Sequence, residues 1–227
     1  MPVSSVVPAL QSYAPHGTCW AALVLAHGAG TGQQHPFMVR TAMALAAEGV
    51  AVTTFDFPYM AEGRRVPDRL PRLILAYAAM VDAVHRACPS VPLFVGGKSM
   101  GGRVATHVAV DPPAALPTLA GIVALGYPLR PPTARRVQDR VSHLRRLEQP
   151  LLVIQGTRDA FGGPEAITEA FTSGGVDACT VVAVPDADHS LSVPARGARA
   201  QAESDRQWQQ AMVSWMRMTV PSIPPSC

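Results

Sequence analysis

Six short apolar runs, none alternating with polar residues, recur along the 227 residues with helical patterns between them. They are Cys19 to Ala26, Val50 to Phe55, Val91 to Val95, Leu119 to Leu125, Leu151 to Gln155 and Thr180 to Val184. Runs of this length without alternation suit strands buried on both faces. The spacing Leu70, Leu73, Ile74, Tyr77, Val81, Val84 predicts a helix with one apolar stripe, with Asp68 as its N-cap. Met38, Ala42 and Leu45 mark a shorter helix, and Trp208 to Thr219 a last one that stops before Pro221. Strands alternating with helices predict an α/β fold, a mainly parallel sheet with helices on both faces. The length suits one domain over residues 1–227, with a core of about 20–219 and a loose tail at 220–227.

Composition removes several classes. Apolar residues make up 48% and charged residues 15%, the reverse of what disorder needs. The four cysteines form no CxxC pair, which suits reduced thiols in a cytoplasmic protein and gives no metal cluster. The N-terminus lacks a basic region before an apolar one, so a signal peptide is not expected. No apolar run approaches the roughly 20 residues that span a bilayer, so no membrane association is expected.

In an open parallel sheet, ligands bind beyond the carboxyl ends of the strands. The residues after each run therefore matter most. After the third run stands Gly97-Lys98-Ser99-Met100-Gly101, which fits G-x-S-x-G between a strand and a helix over Met100 to Val110. Such a turn is sharp enough to strain its central residue and pushes the serine hydroxyl into the open. Glycines two positions to either side avoid collisions with neighbouring backbone. The helix start adds free N–H groups and a positive dipole. A P-loop would need glycine at position 92, where Pro92 stands. A Gly-rich packing turn is the bland alternative.

A serine needs a base, and the base needs an acid to hold its tautomer. Of seven histidines, His189 lies just past the last strand, in Asp186-Ala187-Asp188-His189-Ser190. His85 and His107 fall within helices and read as packing or surface residues. Asp159 follows the fifth strand directly, 30 residues before His189. Asp186 and Asp188 are rivals that would have to fold back on their own loop. For an oxyanion, one N–H is expected from Met100 and another from Ala29, in the loop His27-Gly28-Ala29-Gly30. A dinucleotide fingerprint there would need glycine at 33, occupied by Gln33.

These strings, with His35-Pro36-Phe37-Met38 and Gln155-Gly156-Thr157-Arg158-Asp159, resemble the α/β-hydrolase superfamily. The resemblance covers roughly Ala21 to Trp215. It is to the small, lidless serine hydrolases of the dienelactone-hydrolase-like and testis-expressed-hydrolase-like type. It implies a triad of Ser99, Asp159 and His189, and a strand order of the 1-2-4-3-5-6 style. Only about two dozen residues separate the fourth run from the fifth, so no cap domain fits. The expected walls are short loops: Gly28, His35 and Phe37 on one side, Tyr59 and Tyr127 on the other.

The expected function is cleavage of small carboxylic esters or thioesters by a serine hydrolase, with no metal or organic cofactor. A non-catalytic interaction protein on the same scaffold, or amidase or perhydrolase chemistry, are the alternatives. Between Arg130 and Glu148 stand six arginines against Asp139 and Glu148. They read as a solvated face or, more sharply, as a cationic rim favouring an anionic small-molecule substrate. Nucleic acid is not an expected partner, because that segment has no aromatic platforms.

Overall fold

The computed structural model describes residues 9–113, 116–130, 138–176, 178–193 and 197–220. Residues 221–227 of the expected tail at 220–227, and Arg135 and Arg136, lie outside them. Seven strands form one sheet: β1 (Leu10–Tyr13), β2 (Ala21–Ala26), β3 (Val50–Phe55), β4 (Leu93–Lys98), β5 (Gly121–Leu125), β6 (Leu151–Gly156) and β7 (Cys179–Val184). The longer helices are α1 (Pro36–Ala47), α3 (Leu70–Ala87), α4 (Met100–Val110), α6 (Pro164–Ser173) and α7 (Gly197–Thr219). Two short ones are α2 (Pro58–Ala61) and α5 (Gln138–Val141), and a 3-10 turn follows at Ser142–Arg146.

The order across the sheet is β1-β3-β2-β4-β5-β6-β7. Every pair is parallel except β1 with β3. The strand crossing that the resemblance implied is present, but one strand earlier in the count, because the described residues hold a single antiparallel strand at this edge. No apolar run announced β1. It is an edge strand, part-exposed along its length, so its sequence carries no buried signature.

Because successive strand residues face opposite ways, the six apolar runs feed two cores. Ala22, Val24 and Ala26 of β2 pack with Tyr77 and Val81 of α3, Val104 and Val108 of α4 and Phe171 of α6. Leu23 and Leu25 pack with Met38 and Leu45 of α1 and Trp208 and Met212 of α7. The sheet is thus clothed on both faces. The buried Tyr77 hydroxyl ties α3 to the sheet centre: it accepts from Gly96 N–H at 2.8 Å and lies 2.7 Å from Val24 O.

The expected cap of α3 is corrected. Arg69 is the N-cap, with no side-chain cap bond, and Pro71 sits in the first turn. Asp68 is turned instead to Arg64 at 2.8 Å and Arg72 at 3.1 Å. Two guanidinium partners outweigh one backbone N–H for a carboxylate. Among the described residues, no helix is long and apolar enough to cross a membrane.

Candidate active site

The parallel strands bring their carboxyl ends to one edge, and there the loop residues meet around a cavity of about 770 Å³. Ser99 caps α4 with φ 50°, a value rare for a residue with a side chain. Its flanking glycines show why the turn holds. A Cβ on Gly97 would come within 2.5 Å of Ala26 O, and one on Gly101 within 2.4 Å of the same oxygen. Ser99 N–H donates to Leu125 O at 2.9 Å, which anchors the turn to β5.

His189 Nε2 lies 2.8 Å from Ser99 Oγ, and His189 Nδ1 lies 2.7 Å from Asp159 Oδ2. With Nδ1 protonated toward the carboxylate, Nε2 is left as the acceptor for the serine proton. The carboxylate is buried and fully engaged. Its Oδ1 accepts from Phe161 N–H at 2.7 Å, and its Oδ2 also accepts from Gln155 Nε2 at 2.8 Å. Gln155 in turn donates to Gly162 O at 2.6 Å and accepts from Tyr127 N–H at 2.7 Å. This buried amide was missed by sequence reasoning. The available signal was a Gln ending an apolar strand, where burial obliges its polar atoms to find partners.

Asp186 and Asp188 do other work. Asp186 meets Arg158 at 2.8 Å. Asp188 Oδ1 accepts from Ser190 N–H at 2.8 Å and Ser192 N–H at 3.0 Å, shaping the turn that presents His189. It is Asp159, and neither of these two, that His189 Nδ1 meets.

Met100 opens α4, and the first N–H groups of a helix lack intrahelical acceptors. Ala29 lines the cavity opposite. Its loop is braced by His27, another residue missed from sequence. The His27 ring accepts from Phe57 N–H at 3.1 Å through Nε2 and donates to Gly28 O at 2.8 Å through Nδ1. Burial holds the His27 imidazole below its ordinary pKa, which favours the neutral form that this pairing needs.

Gly28, His35 and Phe37 line the cavity as expected. His35 also caps α1, its Nδ1 accepting from Phe37 N–H at 3.3 Å. Tyr59 and Tyr127 do not line it; both are fully buried. Tyr59 turns inward from α2 against Phe57 and His27. Tyr127 packs on Phe171 and donates to Arg140 O at 2.6 Å. The opposite wall comes instead from Pro128, Phe161, Pro67 and the start of α3 at Leu70 and Leu73. Phe161 also tilts against the His189 ring, with centroids 4.3 Å apart. Of the arginine segment, Arg140 reaches the cavity, joined by Arg103 from α4. Arg145 donates to Gly174 O at 2.7 Å and Arg146 pairs with Asp111, both away from it.

Fold and site together define an α/β-hydrolase with a serine at the strand-to-helix turn. A model of the alpha/beta hydrolase domain matches residues 20–217, and the chain belongs to that family. Solved structures agree on the fold. A lidless α/β serine hydrolase of Xanthomonas campestris is 18% identical with TM-score 0.71, matched over 95% of this chain and 90% of that one. An alpha-beta serine hydrolase homologue of Coxiella burnetii is 15% identical with TM-score 0.70, over 90% and 89%. A dienelactone hydrolase of Anabaena variabilis is 18% identical with TM-score 0.70, over 93% and 92%. Among curated protein sequences, none matches at a significant level.

Proposed function

We propose that the protein hydrolyses small carboxylic esters or thioesters through an acyl-enzyme on Ser99, His189 and Asp159. The observation that carries this is the unbroken series Ser99 Oγ to His189 Nε2 at 2.8 Å and His189 Nδ1 to Asp159 Oδ2 at 2.7 Å. Ser99 Oγ attacks the carbonyl carbon while His189 takes its proton. Asp159 holds the imidazole tautomer and balances the imidazolium that forms. The N–H groups of Met100 and Ala29 receive the oxyanion. His189 then protonates the leaving alkoxide or thiolate. Water, activated by the same imidazole, releases the acid and restores Ser99.

The substrate is a small molecule, and an anionic group on it fits the cavity best. Arg103 and Arg140 both line the space beside Ser99. Asp68, which also lines the cavity, has Arg64 and Arg72 against it. With two guanidinium groups in the lining beside Lys98, a carboxylate or phosphate on the bound ester is the proposed preference.

Fluorophosphonate labelling and p-nitrophenyl esters test this reading. Wild type should be labelled at Ser99 and should hydrolyse the esters. Ser99→Ala should remain folded and lose on the order of 10⁶ in turnover. A tenth of the activity surviving in folded Ser99→Ala removes the assignment. A hemisuccinate ester should outrun the neutral butanoate of similar length, and the advantage should shrink with added salt.

A further inference from the structure

The chain carries nineteen Lys and Arg residues, of which eighteen are Arg and one is Lys. That lysine, Lys98, is the last residue of β4 and directly precedes Ser99. Its side chain is half-buried at the wall of the cavity, and the mechanism above gives it no task. Its ammonium donates to the backbone carbonyl oxygen of His189. Room for that bond is made by Gly126, at φ 67°: a Cβ there would come within 2.8 Å of both Lys98 Nζ and His189 O. The stem runs beside Gly28, with Lys98 Cγ 3.7 Å from where a Cβ on Gly28 would stand. One side chain thus bonds the loop after β7 beside Gly126 of the loop after β5, and its backbone is covalently joined to the nucleophile.

We infer that Lys98 is a positioning residue: its ammonium, bonded to the carbonyl of His189 itself, fixes the imidazole relative to the adjacent Ser99. This rests on Ser99 and His189 acting as nucleophile and base. The residue type fits the task. An ammonium is a compact point donor on a flexible stem, whereas a guanidinium is a broad planar fork that would not enter the gap Gly126 leaves. Everywhere else in this sequence the cation is arginine. The bond runs to the carbonyl of the catalytic residue and not to its ring, so it fixes where the imidazole sits without competing for either ring nitrogen.

Charge strengthens the tie, and the charge is near its limit. Burial pulls Lys98 down to about 8, against the opposing pull of Asp159 and Asp188, which face it from the loops after β6 and β7. Above that pH the amine is neutral and its bond to the carbonyl is weaker. The same deprotonation does not unfold the protein. Between about 8 and 10.5 the unfolded chain holds this proton and the folded chain does not, so this group adds stability as pH rises. A loss of turnover in that range reports the tie.

The test uses the full chain and p-nitrophenyl acetate. Lys98→Met keeps the stem and removes the donor. We expect kcat to fall on the order of 10²-fold with KM changed by no more than about twofold, because the substrate still binds while the base is misplaced. The alkaline fall in kcat near pH 8 should disappear from the residual activity. A second measurement needs no variant: lysine labelled with ¹⁵N gives one Nζ resonance, since there is one lysine. Its titration midpoint in wild type should coincide with the fall in kcat. Folded Lys98→Met with kcat within about threefold of wild type overturns the proposal. So does a wild-type kcat that is flat across the Nζ titration. A wild type that no fluorophosphonate labels overturns the ester reading as well, whereas a labelled and active wild type confines any failure to Lys98.

Discussion

His189 and the pair His107–His143 are both imidazoles set among polar groups inside the fold, and their surroundings differ in one respect. At His189 each ring nitrogen has a convergent partner, Asp159 on one side and Ser99 on the other. At the pair, the rings stack face to face with centroids 3.7 Å apart. His143 Nε2 donates to Thr106 Oγ1 at 2.9 Å, while His143 Nδ1 and His107 Nε2 are buried with no hydrogen-bond partner among the described residues. Burial, reinforced by Arg103, pushes His107 down to about 4. Burial, the neighbouring ring and the guanidinium groups of Arg103 and Arg146 push His143 down to about 3. The partial relief from Asp111 does not offset this. Burying an imidazole therefore does not make it a base; a proton acceptor needs a carboxylate behind it and a donor in front. The pair cements the 3-10 turn at Ser142–Arg146 to α4.

Asp159 is where that contrast breaks most sharply. Asp159→Asn removes the acceptor behind His189 and lets its ring take the wrong tautomer. Turnover should fall by about 10⁴. Asp188→Asn disturbs only the turn, so its loss should be far smaller. Paired kinetics on the two variants decide between the carboxylates, and a larger loss in Asp188→Asn would reassign the acid.

The next effect lies in stability and leaves chemistry aside. An unfolded histidine takes a proton near pH 6.5, whereas the folded pair stays neutral to about pH 4 and below. Protons therefore favour the unfolded chain. The stability present above pH 6.5 drains away as pH falls toward 4. His143→Leu should flatten this acid slope in melts followed by circular dichroism, with turnover at pH 7.5 little altered. An unchanged slope would show that the pair is not the acid-sensitive element.

The smallest effect concerns acyl length. Loop walls alone would leave a chain wet and make two to four carbons the preferred range. The start of α3 and Val104 of α4 give the cavity apolar wall that the loops lack. Each methylene buried there is worth up to ~0.8 kcal/mol, or about fourfold in kcat/KM. The specificity constant should therefore climb from acetyl to butanoyl esters. A flat series would return the site to the shallow form that loops alone provide.

What could be read from sequence follows from how tightly backbone geometry restricts residue choice. All six apolar runs became strands, and five of them are buried, since a two-sided buried strand has little room for polar residues; β7 at the sheet edge is part-exposed and keeps only Val184 buried. Strand ends then located Ser99, Asp159 and His189 at one edge of the sheet, because a parallel sheet aligns those ends. The same logic failed for Tyr59 and Tyr127: a position after a strand gives the end of the sheet but not the direction of the side chain, which α2 and Phe171 decide. The tasks of Gln155 and His27 were not legible because each bonds a backbone group about thirty residues away, Tyr127 N–H for Gln155 and Phe57 N–H for His27. Asp68 read as a cap although Arg64 and Arg72 stand only four residues to either side of it, because the reading weighed the free backbone N–H groups of the helix start and left the neighbouring cations out.

The turn at Ser99 also bears on how this sequence can drift. Gly97 and Gly101 each lie against the same Ala26 oxygen at a distance that excludes even one methyl group. Neither position can therefore reach another residue type by a single substitution without moving β2, which lies in the middle of the sheet between β3 and β4. Sequences one step away at these two sites are closed to the chain, so the glycine frame stays fixed while the residues between them are free of that restriction.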